Sequence, residues 1–350
     1  MRPTLATNKG SFILRCPTLS ELPPPPPGKV GWPWTQESAQ LPDTKDDGRA
    51  WPRISIVTPS YNQGQYIEET IRSVLLQGYP DLEYVVMDAA STDGTMEVVQ
   101  KYRNWIHYSE SKKDKGQSDA LNRGFSQTSG ALLGWMCSDD VFMPDTLAKV
   151  ANEFTEPFDQ KLIIAGMSEY RDSSGTITKW EVKDTPKNIV EIFSICTTKY
   201  FAQPSTFFSR TALESAGKIS ERLQYCMDLD LWLRLAQISE IKTINTKLSW
   251  MRMHDESKTV RDELKTLQAI EFILADHSGL VDSVTYEKAQ VGCKIQQAKS
   301  LTSAALIALK GGDRAEAWRD LRLAFGISRR VIFTRGWIGV VLRLLGLKRA

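Results

Sequence analysis

The sequence predicts an α/β fold, with a sheet flanked by helices and a helical extension at the C-terminal end. Two observations support this prediction. Between residues 54 and 136, short apolar, β-branched segments alternate with segments whose apolar residues recur at helical spacing. Such alternation is typical of parallel strands joined by helical crossovers. After about residue 260, helical patterns follow one another.

Strands and helices alternate through the first part of the α/β region. The β-branched run at 54–58 ends at Pro59 and is predicted to be a buried strand. The helix predicted over 67–76 carries Glu68 and Glu69 in its first turn, where acidic side chains suit the helix dipole. The other predicted elements are strands over 82–87, 131–136, 162–165 and 207–208, and helices over 96–102, 118–126 and 228–236.

The chain is predicted to divide into three parts. Residues 1–50 form an irregular arm, residues 51–260 the α/β domain, and residues 261–350 a helical region with a basic amphipathic tail. The arm contains five consecutive prolines, residues 23–27, which favour polyproline II structure. Such tracts usually act as spacers, so the arm is expected to be a linker or to lie along the surface; docking of a partner is the alternative.

The C-terminal region contains a predicted helix-turn-helix. Gly311 and Gly312 end its first helix, and Asp313 is placed to cap the second. The final segment combines apolar residues with basic ones, namely Arg329, Arg330, Arg335, Arg343, Lys348 and Arg349. A basic amphipathic segment can lie on an anionic membrane surface, and it can equally pack on the α/β domain.

Composition argues against several classes of protein. With 44 basic and 42 acidic residues, the net charge of +2 gives no reason to expect nucleic-acid binding. The five cysteines are scattered without a C-x-x-C pair, which argues against a disulfide framework or zinc knuckle and favours a reducing cytoplasm. The sequence shows no signal-peptide pattern and no run of roughly 20 apolar residues, so a membrane-spanning helix is not expected.

Two adjacent carboxylates follow one of the predicted strands. Asp139 and Asp140 come shortly after the strand over 131–136, at the edge of the sheet where open α/β folds bind ligands. Adjacent carboxylates repel unless a cation or hydrogen-bond donors lie between them, and their oxygens suit Mg²⁺ or Mn²⁺. The pair is a candidate metal site that bridges to a diphosphate. The alternative is an exposed turn, or a helix cap before Met143 and Pro144.

The ends of the first two strands carry further polar residues. Asp88 begins a polar loop in which Ser91 and Asp93 are predicted to cap the next helix, whereas for Asp88 ligand binding and a structural role are both open. The ring of Tyr61 could stack on a nucleobase or pack in the core. The segment has neither a G-x-G-x-x-G turn nor a Gly-Lys-Ser/Thr motif, which argues against dinucleotide-binding and P-loop proteins.

Several segments, in order over about residues 54–260, resemble the family 2 glycosyltransferases with the GT-A fold. They are IVTPSYNQGQYIEETIRSVLLQGYP, VVMDAASTDGT, DKGQSDALNRGF, GWMCSDD, AQPSTFFSR, MDLDLWLR and HDESKT. Each is weak alone, but the series is specific. The resemblance implies a Rossmann-like mixed sheet of the GT-A type and transfer of a sugar from a nucleotide-diphosphate donor, with uridine as the usual base.

The resemblance also implies roles for individual residues. Those assigned to the nucleotide are Pro59, Tyr61, Asp88, Asp114, Lys115 and Asp140. Those assigned to the acceptor or donor sugar are Gln203, Pro204, Ser205 and Trp232. The family's D-x-D element falls on residues 137–139, so Asp139 and Asp140 would be metal ligands. Cys137 stands where the family has its first aspartate, which leaves that residue's ribose contact in doubt.

The segment around Asp228 resembles the family's Glu-Asp catalytic element. Asp228 matches the base, with Met227 where glutamate is common, and Asp230 is the alternative base. Carboxylates two positions apart on a helix point away from each other, so only one should face the acceptor. A helix N-terminus with favourable acidic residues is the structural alternative. His254 matches the third metal ligand of some members, although a lone histidine is more often structural.

These assignments predict an inverting transfer. Asp228 takes the proton of the acceptor hydroxyl, while Mn²⁺ or Mg²⁺ on Asp139, with Asp140 and His254, neutralises the leaving diphosphate. One base without a nucleophile implies a single displacement. The expected acceptor is a glycan or a lipid-linked acceptor in polysaccharide or glycolipid assembly. A cytoplasmic location is expected, and peripheral contact with the membrane through the C-terminal tail is left open.

Two other classes of protein are alternatives to this activity. A nucleotidyltransferase would need a basic, Gly-rich loop after the first strand, and Gln63-Gly64-Gln65 contains no basic residue. A catalytically inactive sugar-nucleotide-binding or scaffold protein is consistent with the departures at Cys137 and Met227.

Overall fold

The computed structural model describes residues 15–172, 175–182, 185–195 and 201–347. The strands are β1 (Ile54–Ser60), β2 (Leu82–Asp88), β3 (Tyr108–Ser111), β4 (Leu132–Trp135), β5 (Val141–Phe142), β6 (Leu162–Asp172), β7 (Ile177–Val182), β8 (Thr206–Ser209) and β9 (Glu240–Met253). The α-helices are α1 (Ile67–Leu75), α2 (Thr95–Lys101), α3 (Gln117–Phe125), α4 (Thr146–Glu153), α5 (Ile189–Ile195), α6 (Arg210–Ala216), α7 (Met227–Ala236), α8 (Lys258–Arg261), α9 (Glu263–Asp276), α10 (Ser283–Lys310), α11 (Arg314–Ile327) and α12 (Arg335–Leu344). Short 3₁₀ helices cover Gln203–Ser205, Ser278–Leu280 and Arg329–Phe333.

Within these described ranges, nine strands form one mixed sheet. Eight follow the order β3-β2-β1-β4-β8-β6-β9-β5, and β7 pairs with β6. The strands β2, β1 and β4 run parallel, as predicted, and β3, which was not predicted, is parallel to β2. The strand β8 is antiparallel to both β4 and β6. From β1 the chain continues to β2 and β3 on one side, and it then returns past β1 to β4 on the other side, so the strand order reverses between β1 and β4. Open sheets bind ligands outside the carboxyl ends of strands at such a switch point.

The high apolar content of β1 and β2 agrees with their burial. All seven residues of each strand are buried, and strands covered on both faces are typically apolar along their whole length. Between them, Ile67, Ile71 and Val74 line the buried face of α1 at helical spacing. The strands and helices predicted between residues 54 and 136 are confirmed, and their observed ends differ by a few residues at most.

Contacts divide the chain into two compact units. Unit 1 takes in the described residues of Met1–Thr185, Ala202–Glu221 and Ile238–Arg252. Unit 2 takes in those of Pro186–Phe201, Arg222–Gln237 and Met253–Ala350. The helix α7 therefore groups with the C-terminal helices. The three-part division with boundaries at residues 50 and 260 stays a prediction.

The described part of the N-terminal arm packs into unit 1. Cys16 and Leu22 belong to its apolar core. Arg72 of α1 is fully buried and donates to the backbone carbonyls of Pro23 (2.8 Å), Pro33 (3.0 Å) and Trp34 (3.0 Å). A guanidinium carries five donors and needs partners when it is buried. The arm therefore lies along unit 1 and supplies acceptors to its buried arginine.

Unit 2 contains the predicted helix-turn-helix. The helix α10 ends at Lys310, and the carboxylate of Asp313 caps α11 by accepting from the Glu316 N–H at 2.8 Å. A small core joins α10, α11 and α12 through Ala305, Ala317, Leu321, Val340 and Leu344. None of the helices in the described part of the chain is both long enough and apolar enough to cross a bilayer. The predicted tail residues Lys348 and Arg349 lie outside the described residues.

Candidate active site

The carboxyl ends of three parallel strands meet at one edge of the sheet in unit 1. Ser60 of β1 pairs with Asp88 of β2, and Val57 of β1 pairs with Trp135 of β4. Tyr61 directly follows β1, and its side chain is 63% exposed, so the core-packing alternative for this ring is wrong. Pro59 is buried within β1. An exposed aromatic ring therefore stands at the edge where ligands bind in folds of this kind.

Asp88 organises the loop that follows β2. It is 1% exposed, and its carboxylate accepts from the Ser91 hydroxyl (2.5 Å), the Ser91 N–H (3.0 Å) and the Ser111 hydroxyl (2.6 Å). The Ser91 hydroxyl in turn accepts from the Asn62 N–H at 2.7 Å, after β1. The predicted capping role of Ser91 is wrong, because its hydroxyl joins two loops. Asp88 has a structural role here, and its contact with a base stays a prediction.

Asp93 links the loop after β1 to the start of α2. Its carboxylate accepts from the N–H of Thr95, the first residue of α2, at 3.2 Å and from the N–H of Gly64 at 2.8 Å. Burial opposes ionisation of Asp93, but hydrogen bonds from the Thr95 hydroxyl and from these two N–H groups outweigh burial and lower its pKa. A Cβ on Gly64 would come within 2.7 Å of the Asp93 carbonyl oxygen, so the close approach requires glycine.

Asp114 and Lys115 lie in the loop between β3 and α3. The Asp114 carboxylate accepts from the Gly116 N–H at 2.9 Å, and burial raises its pKa. The Lys115 side chain is 79% exposed, with its Nζ 3.9 Å from the Glu221 carboxylate. Both residues belong to unit 1, and their predicted place beside a nucleoside stays a prediction.

An acidic turn, residues 137–140, follows β4. The Asp140 N–H closes it by donating to the Cys137 carbonyl at 3.1 Å. One potential ligand atom from each of Cys137, Asp139 and Asp140 lies within 4.8 Å of the others. Asp140 is 8% exposed; burial first, and then the charge of Asp139, raise its pKa well above the usual value. A divalent cation would relieve this repulsion, and the carboxylate oxygens suit Mg²⁺ or Mn²⁺ better than the softer thiol does.

Arg252 of β9 contacts the acidic turn, and these contacts were not predicted from the sequence. Its backbone N–H donates to Asp140 Oδ1 at 3.0 Å, and its Nε donates to the Asp139 carbonyl at 3.1 Å. Its Nη2 donates to the Glu69 carboxylate at 2.8 Å. The one local signal was a basic residue two positions before His254, in a segment where no strand was predicted.

Gln203 connects with the acidic turn through Cys137. The Cys137 thiol lies 3.3 Å from Gln117 Nε2 and donates to Gln203 Oε1 at 3.3 Å, and Gln203 Nε2 donates to the Trp135 carbonyl at 2.7 Å. Gln203 is therefore held beside the end of β4. Pro204 is buried.

Ser205 lies in the interior of unit 1. It is fully buried, and its hydroxyl lies 2.7 Å from each of the Ser168 and Ser249 hydroxyls. Its side chain therefore holds neighbouring strands together. Its predicted contact with the acceptor stays a prediction.

In unit 2, the two aspartates at the start of α7 differ in their surroundings. Desolvation raises the pKa of Asp228 to about 6. Asp230 is 6% exposed, and its carboxylate lies 2.8 Å from Arg234 Nη2 and 3.0 Å from His277 Nε2. Burial opposes its ionisation, but these two partners outweigh burial and lower its pKa. Asp230 is therefore held as an anion in a structural network.

Two further predicted residues are buried in unit 2. Trp232 is fully buried in α7, and its ring packs edge-on against Phe201 with 6.0 Å between centroids. His254 is 9% exposed and follows the end of β9, and its carbonyl accepts from the Ser257 N–H at 3.0 Å. The structure thus places Trp232 among core residues, and the ligand role of His254 stays a prediction.

Solved structures with the same architecture define the class of fold. TarS of S. aureus, solved with UDP-GlcNAc, has a TM-score of 0.52 at 16% identity and covers 79% of this chain and 92% of its own. The mannosyltransferase PcManGT of Pyrobaculum calidifontis, solved with GDP-Man and Mn²⁺, has a TM-score of 0.55 at 17% identity and covers 89% and 91%. The predicted GT-A fold, with its helical extension, is confirmed.

Sequence comparison shows a resemblance to one family over part of the chain. Residues 55–214 match the family model described as glycosyl transferase family 2, which confirms the predicted resemblance. Chondroitin synthase of Pasteurella multocida is 26% identical over 233 residues, which are 65% of this chain and 23% of that protein. The chain also spans only 35% and 40% of the length of two other curated relatives.

Proposed function

We propose that this chain is a metal-dependent, inverting glycosyltransferase that uses a nucleotide-diphosphate sugar. The observation that carries the proposal is the acidic turn at the carboxyl end of β4, at the same edge of the sheet as exposed Tyr61. A ring for stacking and carboxylates for a cation are what a nucleoside diphosphate needs. Similar folds were solved with UDP-GlcNAc and with GDP-Man, which supports this donor class. The family resemblance favours uridine.

The nucleotide side of the reaction belongs to unit 1. Tyr61 stacks on the base, with Pro59, Asp88, Asp114 and Lys115 around the nucleoside. Asp139 and Asp140 would hold Mn²⁺ or Mg²⁺. From the family resemblance we add His254 as the third ligand and Gln203, Pro204, Ser205 and Trp232 as sugar-site residues, of which the fully buried Ser205 and Trp232 would support the site rather than touch the sugar. When bound, the ion supplies positive charge that stabilises the leaving diphosphate.

We assign the proton transfer to Asp228. A carboxyl with a pKa of about 6 is mostly ionised at pH 7 and is still basic enough to accept a proton from a hydroxyl. The acceptor oxygen loses its proton to Asp228 and bonds to the anomeric carbon, while the bond from that carbon to the diphosphate oxygen breaks. This single displacement inverts the configuration. Asp230 is the weaker candidate, because Arg234 and His277 already occupy its carboxylate.

The acceptor is proposed to be a glycan or a lipid-linked acceptor in polysaccharide or glycolipid assembly. The relative named chondroitin synthase supports a glycan acceptor. The C-terminal tail is proposed to contact the cytoplasmic face of a membrane. In this tail the apolar side chains of Phe333 (81% exposed) and Leu345 (57% exposed) are accessible among basic residues. Exposed apolar side chains together with arginines suit an anionic lipid surface.

Binding and turnover measurements test the proposal in two stages. Calorimetry with UDP, GDP and dTDP, each with and without Mn²⁺ or Mg²⁺, should show one nucleotide bound more tightly with metal. Donor hydrolysis or transfer by the parent protein should then be lost in the Asp228→Asn variant while the donor still binds. A parent protein that binds donor without turnover would support the scaffold alternative. Absence of metal-enhanced nucleotide binding would overturn the proposal.

A further inference from the structure

Arg252 is a charged side chain buried at the edge of the proposed metal site. It is 7% exposed, and a buried guanidinium is tolerated only when its charge and donors are matched. Glu69 supplies the opposite charge at 2.8 Å. The guanidinium carbon also lies 4.7 Å from the ring centre of Tyr66 and 4.6 Å from that of Trp250. The side chain is therefore held in one place by an ion pair and two aromatic faces.

The other contacts of Arg252 go to the two acidic residues. Its Nε donates to the backbone carbonyl of Asp139, and its own N–H donates to one carboxylate oxygen of Asp140. From the helix side, the Thr70 hydroxyl donates to the Asp140 carbonyl at 2.7 Å. Arg252 thus acts on the backbone of one aspartate and on the side-chain orientation of the next.

We infer that Arg252 is a positioning residue that holds Asp139 and Asp140 in the arrangement that binds the metal. The inference rests on the proposed function. Charge alone gives the opposite expectation, because a cation beside two carboxylates repels a divalent ion, and its removal should then strengthen metal binding. Glu69 offsets much of that repulsion. Groups that orient metal ligands typically change affinity by about 10- to 100-fold when they are removed.

The experiment separates metal-dependent from metal-independent nucleotide affinity. UDP and GDP are titrated by calorimetry with and without Mn²⁺, into the full chain and its variants. For Arg252→Met we expect the Mn²⁺-dependent gain in affinity to fall by about 10- to 100-fold, with affinity in the absence of metal unchanged. Arg252→Lys should retain part of the gain. Glu69→Gln should act in the same direction with a smaller effect, because it frees the guanidinium.

Arg171 provides a matched control. Its guanidinium carbon lies 4.9 Å from the same Trp250 ring, and it pairs with Glu169 at 2.6 Å. Arg171→Met should therefore remove a comparable ring contact and ion pair without changing the response to Mn²⁺. Circular dichroism establishes which variants are folded. If Arg252→Met does not fold, Arg252→Lys and Glu69→Gln decide the question.

Each outcome has a distinct meaning. Unchanged or tighter Mn²⁺-dependent binding in a folded Arg252 variant overturns the positioning role and leaves the proposed function standing. An equal loss in Arg171→Met also overturns it, since the effect would then come from Trp250. If the parent protein itself gains nothing from Mn²⁺ with either nucleotide, the metal-dependent function fails, and the inference fails with it.

Discussion

Each unit contains a pair of neighbouring aspartates, and the surroundings of the two pairs shift the carboxyl pKa values differently. In the acidic turn, Asp139 and Asp140 are adjacent, and burial together with mutual repulsion raises the pKa of Asp140. On α7, the helix separates Asp228 from Asp230, and burial raises the pKa of Asp228 to about 6 while partners lower that of Asp230. A cation shared by the first pair would relieve its repulsion, whereas the partners of Asp230 leave the two carboxylates of the second pair with different pKa values.

The comparison shows that residue type alone does not assign chemistry. Asp228 and Asp230 have the same side chain and sit in the same helical turn, yet only Asp230 is bonded to Arg234 and His277. A carboxylate stabilised as an anion is a poor proton acceptor, whereas a desolvated one is a better base.

Replacement of the proposed base should have the largest effect. Asp228→Asn keeps the shape of the side chain but cannot take a proton, so the transfer rate should fall by about 10²- to 10⁴-fold with donor affinity unchanged. Steady-state rates and calorimetry on the same preparation measure both quantities. Asp276→Asn, an exposed change in the same unit, is the control. A variant that retains more than a tenth of the parent rate would remove Asp228 from this role.

Replacement of a proposed metal ligand should act on binding. Asp139→Asn should weaken Mn²⁺-dependent nucleotide affinity by at least about 100-fold, since loss of a ligand should exceed the effect of losing an orienting group. Nucleotide affinity without metal should stay the same, because Tyr61 and the loops after β1 and β2 are untouched. Equal losses with and without Mn²⁺ would mean that Asp139 contacts the nucleotide or supports the fold instead.

Local pattern was enough to predict most elements around the proposed nucleotide site. Buried strands such as β1 are rich in apolar and β-branched residues, and α1 carries apolar residues at helical spacing. Local pattern did not predict β9, because the first eight residues of this strand are all exposed or half-buried and include charged side chains. Pairing of Trp250 in β9 with Val141 in β5 then brings Arg252 to the acidic turn. That contact joins residues far apart in the chain, so no local pattern reports it.

The choice between Asp228 and Asp230 also required tertiary contacts. Both residues occupy the first turn of a helix, where acidic side chains are favoured for reasons unrelated to catalysis. His277, which distinguishes them, comes 47 positions after Asp230. The sequence therefore predicted where the carboxylates are, but not which of them is already hydrogen-bonded to other side chains.

Removal of the structural carboxylate should reduce stability. Asp230→Asn leaves His277 and Arg234 without a carboxylate partner, and loss of a partly exposed ion-pair network of this kind should lower the free energy of unfolding by about 2 kcal/mol. Urea denaturation measures the change, with Asp276→Asn expected within about 0.5 kcal/mol of the parent. If Asp230→Asn is as stable as the parent but inactive, Asp230 has a catalytic role and the assignments are reversed.

The pH dependence of the transfer rate should reflect Asp228. Below a pH of about 6 the proposed base is protonated, so the rate should fall roughly tenfold for each further pH unit, and above that value it should level off. Rates measured from pH 4.5 to 8 with saturating donor test this expectation. A rate that is constant down to pH 5 would indicate a base with a lower pKa, in keeping with Asp230.

Neutralisation of the proposed base should also increase the stability of the fold at neutral pH. Because burial raises the pKa of Asp228 from 3.8 in the unfolded chain to about 6 in the folded one, the folded state binds more protons between these values. Ionisation therefore costs stability as the pH rises through this window, and the full cost is present above about pH 6. Asp228→Asn should unfold at a higher temperature than the parent at pH 7, and the difference should vanish below about pH 4. A variant that is less stable at pH 7 would show that the Asp228 carboxylate is stabilised in the fold, which is incompatible with a desolvated base.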